Sequence, residues 1–193
     1  MIRILYFLED RMQEDFIASL VNRVAKEENI QIENEVRWAS GGSQVKRQFK
    51  KFLKNTKVYD FDLLIVAMDG NCKGHMEKEK EITKSIPEDI KDKLICCIPD
   101  PHIERWYLLD LNALKRAIGE NIQINQLPQK CEKDYYKSIL GNALRSVGSL
   151  LGGPEYAERL VENLDLHILQ EKDKGFKRFI DELRRKIRFF NNR

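Results

Sequence analysis

No apolar run in this sequence approaches the length of a membrane span, so an integral membrane role is not expected. Neither Gly41-Gly42-Ser43 nor Gly152-Gly153 is followed by Gly-Lys and then Ser or Thr, so neither forms a P-loop, and ATP hydrolysis by this chain is not expected. Cysteine is sparse. Cys72, Cys96, Cys97 and Cys131 include no CxxC pair, and two are adjacent within an apolar run, a usage that predicts reduced thiols in a cytoplasmic protein. Cys72 and His75 have the spacing of half a zinc site without a second half. The first residues lack the small-residue cleavage site of a signal peptide, which again predicts a soluble intracellular protein.

Acidic residues are missing from one long stretch. Between Val36 and Tyr59 there is none, while Lys46, Arg47, Lys50, Lys51 and Lys54 crowd one face of an expected helix, Gln44 to Asn55. The formal net charge is only +3, yet residues 172 to 193 carry nine Lys or Arg against three acids, +6, which leaves −3 for the rest. Such segregation, more than the sum, suggests contact with a phosphate backbone. The carboxyl-terminal cations Lys177, Arg178, Arg184, Arg185, Lys186 and Arg188 are a second set of this kind. Each run has the plainer reading of a solvated face.

What is present reads as an α/β domain. At 193 residues and 42% hydrophobic content the chain can bury one good core with a modest appendage. Apolar runs at Ile2–Leu8, 62–68 and 94–98 predict buried strands, and Ile30–Trp38 alternates as a more exposed one. Helical spacing follows the first strand at Met12–Lys26, with Phe16, Ile17, Leu20, Val21 and Val24 on one stripe. Strands alternating with helices favour a parallel sheet built from βαβ units. Beyond Pro101 the pattern is helical: Ile103–Ile118, Tyr135–Leu151, Pro154–Leu164 and Gly175–Phe190, with a loop at 121–128. Trp106 and Tyr107 read as core. Residues 1–120 form the expected α/β core and 121–193 a helical extension packed on it.

Carboxylates recur where these strands end. Glu9 and Asp10 follow the first run, Asp69-Gly70-Asn71 the third, and Asp100 and Glu104 the fourth. Oxygen ligands gathered at the carboxyl edge of a parallel sheet suit a hard cation such as Mg²⁺ or Mn²⁺. The bland alternative is that each acid caps a helix. Lys73 and His75, just after the turn, are candidate phosphate contacts, and His102 is a candidate ligand or proton carrier.

This order of motifs resembles the TOPRIM domain, in which a Glu ends the first strand and a DxD motif ends the third. The segment PDPHIERWYLLD, residues 99 to 110, is similar to the Pro-x-x-Glu segment of small TOPRIM-like proteins related to OLD-type nucleases. The resemblance covers roughly residues 1–120. It implies a TOPRIM-like, mostly parallel sheet and Mg²⁺-dependent hydrolysis of nucleic acid, DNA ahead of RNA, in prokaryotic defence or repair, with a partner ATPase. It also implies catalytic roles for Glu9, Asp69 and Glu104, and metal ligation by Glu9, Asp69, Asn71 and Asp100. Asn71 departs from the motif, because an amide stands where the family has a carboxylate. Asp10 and Glu14 are secondary candidates, Glu14 as the acid that OLD-type members carry on the first helix. Two other readings stand beside this one: a non-catalytic subunit that binds nucleic acid or a partner, and a phosphoacceptor receiver domain. The receiver reading needs a Lys at a later strand end, where this chain has Pro99-Asp100-Pro101.

Overall fold

The structure is a computed structural model. It describes every residue except 40, 85, 120, 121, 123, 125, 126, 128, 129, 133, 150, 192 and 193, and only the backbone of residue 191. In chain order the elements are β1 (Ile2–Leu8), α1 (Arg11–Glu27), β2 (Ile32–Trp38), α2 (Gly42–Phe52), β3 (Leu63–Ala67), α3 (His75–Thr83), α4 (Glu88–Lys91) and β4 (Leu94–Cys97). Then follow α5 (Ile103–Leu108), α6 (Leu111–Ile118), α7 (Tyr135–Ser146), α8 (Ala157–Asn163), α9 (Leu166–Lys172) and α10 (Lys174–Asn191). Short 3₁₀ turns at Thr56–Asp60 and Pro154–Tyr156 complete the set.

The four strands form one parallel sheet in the order β2-β1-β3-β4. β3 is buried along its whole length, as an uninterrupted Leu, Ile and Val run requires when helices cover both faces. β2 lies at an edge and exposes Glu33, Asn34 and Glu35, which explains its alternating pattern. Successive side chains of β1 go to opposite layers. Ile4, Tyr6 and Leu8 meet the apolar stripe of α1 and the helices of the second half of the chain. Leu5 and Phe7 meet Val45, Phe49 and Phe52 of α2, together with Ile82 of α3 and Ile90 of α4. The chain is thus α/β, with a parallel sheet flanked by helices.

The first layer also unites the two halves of the sequence. Trp106 of α5 packs edge-on against Phe176 of α10 at 5.0 Å between ring centres, and Tyr107 lies 4.7 Å from Phe16 of α1. Asp173 accepts from the Phe176 amide (2.7 Å) at the start of α10 and forms a buried ion pair with Arg105.

Several helical expectations change. The single helix expected over Ile103–Ile118 is two, because Asp110 ends the first and caps the second, accepting from Ala113 N at 3.0 Å. The helix expected to reach Leu151 stops at Ser146. There Gly148, at φ +74°, donates to the Arg145 carbonyl and Ser149 to that of Leu144, a Schellman ending. α9 and the short α4 escape the periodicity reading because each spans only about two turns or fewer. Part of the expected loop at 121–128 lies outside the described residues.

Candidate functional site

Strand order reverses between β1 and β3, since the chain runs outward from β1 to β2 and then crosses to the other side of β1 for β3. Glu9 and Asp69 lie just beyond the ends of these neighbouring strands, which are in register as far as Phe7 and Val66. They are joined directly: the Asp69 amide donates to Glu9 Oε1 at 2.9 Å. Gln13, fully buried on the first turn of α1, spans the pair. Its Oε1 accepts from the Glu9 amide (3.1 Å) and its Nε2 donates to Asp69 Oδ1 (3.1 Å). Asp69 Oδ1 also accepts from the Ile103 amide (3.2 Å), and His102 Nδ1 lies 3.1 Å from Asp69 Oδ2. One carboxylate is therefore fixed by three different elements.

The local charge balance is short of cations. Burial, reinforced by the charges of Asp69 and Asp10, pushes the Glu9 carboxyl up to about 7. The Asp69 amide and the Lys78 ammonium act in the opposite direction. Glu104, in the first turn of α5, is also raised, mainly by burial and then by Asp69. His102 is raised chiefly by its hydrogen bond to Asp69.

The turn that carries Asp69 is tightly braced. Gly70 N donates to Pro99 O (2.7 Å), Asn71 N to Pro101 O (2.9 Å), and Cys72 N to Asp100 Oδ1 (2.8 Å). A Cβ at residue 70 would run into the Asp100 carboxyl, so Gly70 is required by close approach. Asn71 and Cys72 both have left-handed backbones, at φ 50° and 63°. An asparagine tolerates that conformation well, and its Nδ2 folds back onto the Asp69 carbonyl (3.1 Å). Here Asn71 and Asp100 shape the turn. Cys72 is disulfide-bonded to Cys131, with Cα atoms 5.7 Å apart, which corrects the expectation that all four cysteines are reduced. The sequence could not reveal this pair, because its members are 59 residues apart. Cys96 and Cys97 are free thiols.

Among the secondary candidates, Asp10 is the N-cap of α1, accepting from Gln13 N at 2.9 Å. Glu14 accepts from the indole of Trp38 at 2.8 Å. Lys73 is exposed beside the turn, and His75 opens α3, facing α10 across an open groove of about 580 Å³. Two residues that matter to the pair were not singled out from the sequence. Gln13 stands one turn before Phe16 and Ile17 on the buried stripe of α1, so a polar residue in an apolar position was the available signal. Lys78, 9% exposed on α3, left none.

α2 begins against the pair. A Cβ at Gly42 would come within 2.9 Å of both Glu9 Oε1 and Met68 Cε. From there its outer face carries Lys46, Arg47, Lys50 and Lys51, and with Ser43 and Lys54 these line a shallow trough of about 470 Å³. Lys46 also pairs with Glu81 at 3.4 Å.

Among the described residues, no group of three or more His, Cys, Asp or Glu side chains is arranged to hold a metal ion. The expected set of Glu9, Asp69 and Asp100 is thus not assembled around one point. The donor chemistry of Glu9 with Asp69 still fits a hard divalent cation, which binds through one or two carboxylates and keeps several waters. Two close carboxylates, one pushed towards neutrality, gain from added positive charge.

The family described as Domain of unknown function (DUF4276) matches residues 8–184, and the chain belongs to it. Comparison with curated proteins and with solved structures gave no match.

Proposed function

We propose that this DUF4276 chain hydrolyses phosphodiester bonds in nucleic acid, with Mg²⁺ or Mn²⁺ held at Glu9 and Asp69. The observation that carries the reading is the joined Glu9–Asp69 pair at the point where the strand order reverses, where open α/β sheets bind ligands. A hard divalent cation there polarises the phosphoryl oxygens and stabilises the leaving oxygen. Gln13, the Ile103 amide and His102 fix the orientation of Asp69 before any ligand arrives. Glu9, with its carboxyl held near neutrality, accepts the proton of the attacking water. Glu104 and His102, both raised, retain protons that can be returned to the leaving oxygen. The trough on α2 supplies contacts for the phosphate backbone. The absence of any helix long and apolar enough to cross a membrane, among the described residues, agrees with a site open to large water-borne substrates.

The test uses labelled single- and double-stranded DNA and RNA with Mg²⁺, Mn²⁺ or EDTA, alongside calorimetric titration of Mn²⁺ without substrate. Metal-dependent cleavage and Mn²⁺ binding are both expected, and both are expected to be lost in Glu9→Gln and Asp69→Asn. A second reading, a non-catalytic nucleic-acid-binding subunit, draws on the hydrogen bonds already filling the Asp69 carboxylate and on the missing third donor. Binding with no cleavage under any metal, unchanged by those substitutions, selects it.

A further inference from the structure

The two tryptophans of this chain have opposite surroundings. Trp106 is fully buried, whereas Trp38 is 58% exposed. A single exposed apolar residue is ordinary on a protein surface. The placement of Trp38 is what distinguishes it. It is the last residue of edge strand β2, in register with Leu8, the residue before Glu9, on a strand about 4.8 Å away. Its Nε1 donates to Glu14 Oε2 at 2.8 Å on the first turn of α1, so the indole is tethered by its edge while much of its surface remains in water. The neighbouring Arg37 points to the other side of the sheet, its guanidinium 4.5 Å from the Phe52 ring centre.

We propose that Trp38 is a stacking platform for an unpaired base, and that the substrate is therefore single-stranded nucleic acid, its backbone following the cations of α2. The proposal rests on the nucleic-acid reading of the Glu9–Asp69 site and narrows its substrate class. Charge selects the occupant. From Val36 to Tyr59 the chain has seven cations and no acid, and the trough on α2 starts where Gly42 touches Glu9. An aromatic platform beside a basic track is the combination that binds single strands with little sequence preference. A duplex keeps its base faces stacked on one another, whereas an unpaired base offers one to the indole. Glu14, expected as a metal-binding acid, acts here as a positioning residue for the ring.

Because Trp106 is buried, quenching of intrinsic tryptophan fluorescence by a ligand reports on Trp38. The full chain in EDTA and low salt is titrated with an oligothymidylate of about twelve nucleotides and with a duplex of equal length. Affinities are read separately by anisotropy of labelled strands. Quenching by the single strand, with Trp38→Ala binding it roughly 5- to 150-fold more weakly and Trp38→Tyr staying near the wild type, is the expected result. Equal quenching by the duplex overturns the single-strand assignment. Single-strand binding without quenching, at equal affinity in wild type and Trp38→Ala, overturns the platform. In both cases cleavage with Mn²⁺ can still occur, so the catalytic reading fails separately, by absence of cleavage of every nucleic acid. Quenching by a protein partner with no nucleic-acid binding overturns both.

Discussion

Two helices carry most of the positive charge that stands out in the sequence, and the fold uses them differently. The cations of α10 reach carboxylates on other elements. Arg178 grips both oxygens of Glu79 at 2.5 Å, Arg184 meets Glu27 at 2.9 Å, and Arg188 meets Glu28 at 2.7 Å. Lys186 points inward, its Nζ 2.6 Å from the Asp92 carbonyl, where α4 ends. On α2, by contrast, Arg47, Lys51 and Lys54 are exposed and line one trough. A run of Lys and Arg acquires its meaning from the acids the fold brings to it. α10 is stapled down by its charge, and α2 displays its charge to the surroundings.

The comparison breaks most visibly at the start of α10, where the ion pair is buried. Arg105 and Asp173 are 8% and 7% exposed, and Arg105 also donates to the carbonyls of Asp100 and Lys172 at 3.3 Å. Replacement of Arg105 by Met strands a buried carboxylate, and urea denaturation is expected to show a loss of about 3–5 kcal/mol. A loss within that of a surface pair would mean that α10 is held by its apolar stripe alone.

Next in size is the effect on α2. Combined Arg47→Gln, Lys51→Gln and Lys54→Gln is expected to weaken oligonucleotide binding roughly 10- to 100-fold and to lower the salt dependence by about two single-strand contacts. The urea midpoint should not move, because these side chains hold nothing in place. Unchanged affinity in anisotropy titrations would reduce the α2 charge to a solvated face.

How much of this was legible beforehand depends on sequence separation. β1, β3 and β4 were readable because buried parallel strands are uninterrupted apolar runs, and the acids at their ends were visible for the same reason. The Glu9–Asp69 contact follows once β1 and β3 are known to be neighbours. The fate of the two basic runs was hidden, since the partners of α10 lie about 100 to 160 residues earlier and no local pattern announces them. Trp38 was read as part of a strand, and only the tertiary fold leaves its ring exposed on Glu14. The Cys72–Cys131 bond was hidden likewise, and with it falls the reduced-thiol argument for a cytoplasmic setting.

Glutamates sharpen the same contrast. Glu28, paired with Arg188, is lowered by that hydrogen bond, whereas Glu9, without an ion-pair partner, is raised to about 7 from 4.5. Between those two values the folded chain holds a proton at Glu9 that the unfolded chain releases, so the Glu9 contribution to stability falls as pH rises through 7. Glu9→Gln does not titrate. It is expected to match the wild type below pH 4.5 and, after allowance for solvent screening, to exceed it by about 1–2 kcal/mol near pH 8. Mn²⁺ should restore stability to the wild type at that pH and leave the variant unmoved. A constant difference across the whole range would remove the charge argument for a cation.

The smallest effect expected is the most specific to the comparison. Combined Arg178→Gln and Arg184→Gln removes two staples that lie partly in water, so the loss in urea should be about 0.5–1.5 kcal/mol and should shrink at high salt. Oligonucleotide affinity should stay within about twofold, because these guanidinium groups already face Glu79 and Glu27 and are not available to phosphate. Affinity lost in proportion to the charge removed would mean that the ion pairs open when nucleic acid arrives. The two helices would then be one basic surface, reached from opposite sides of the sheet.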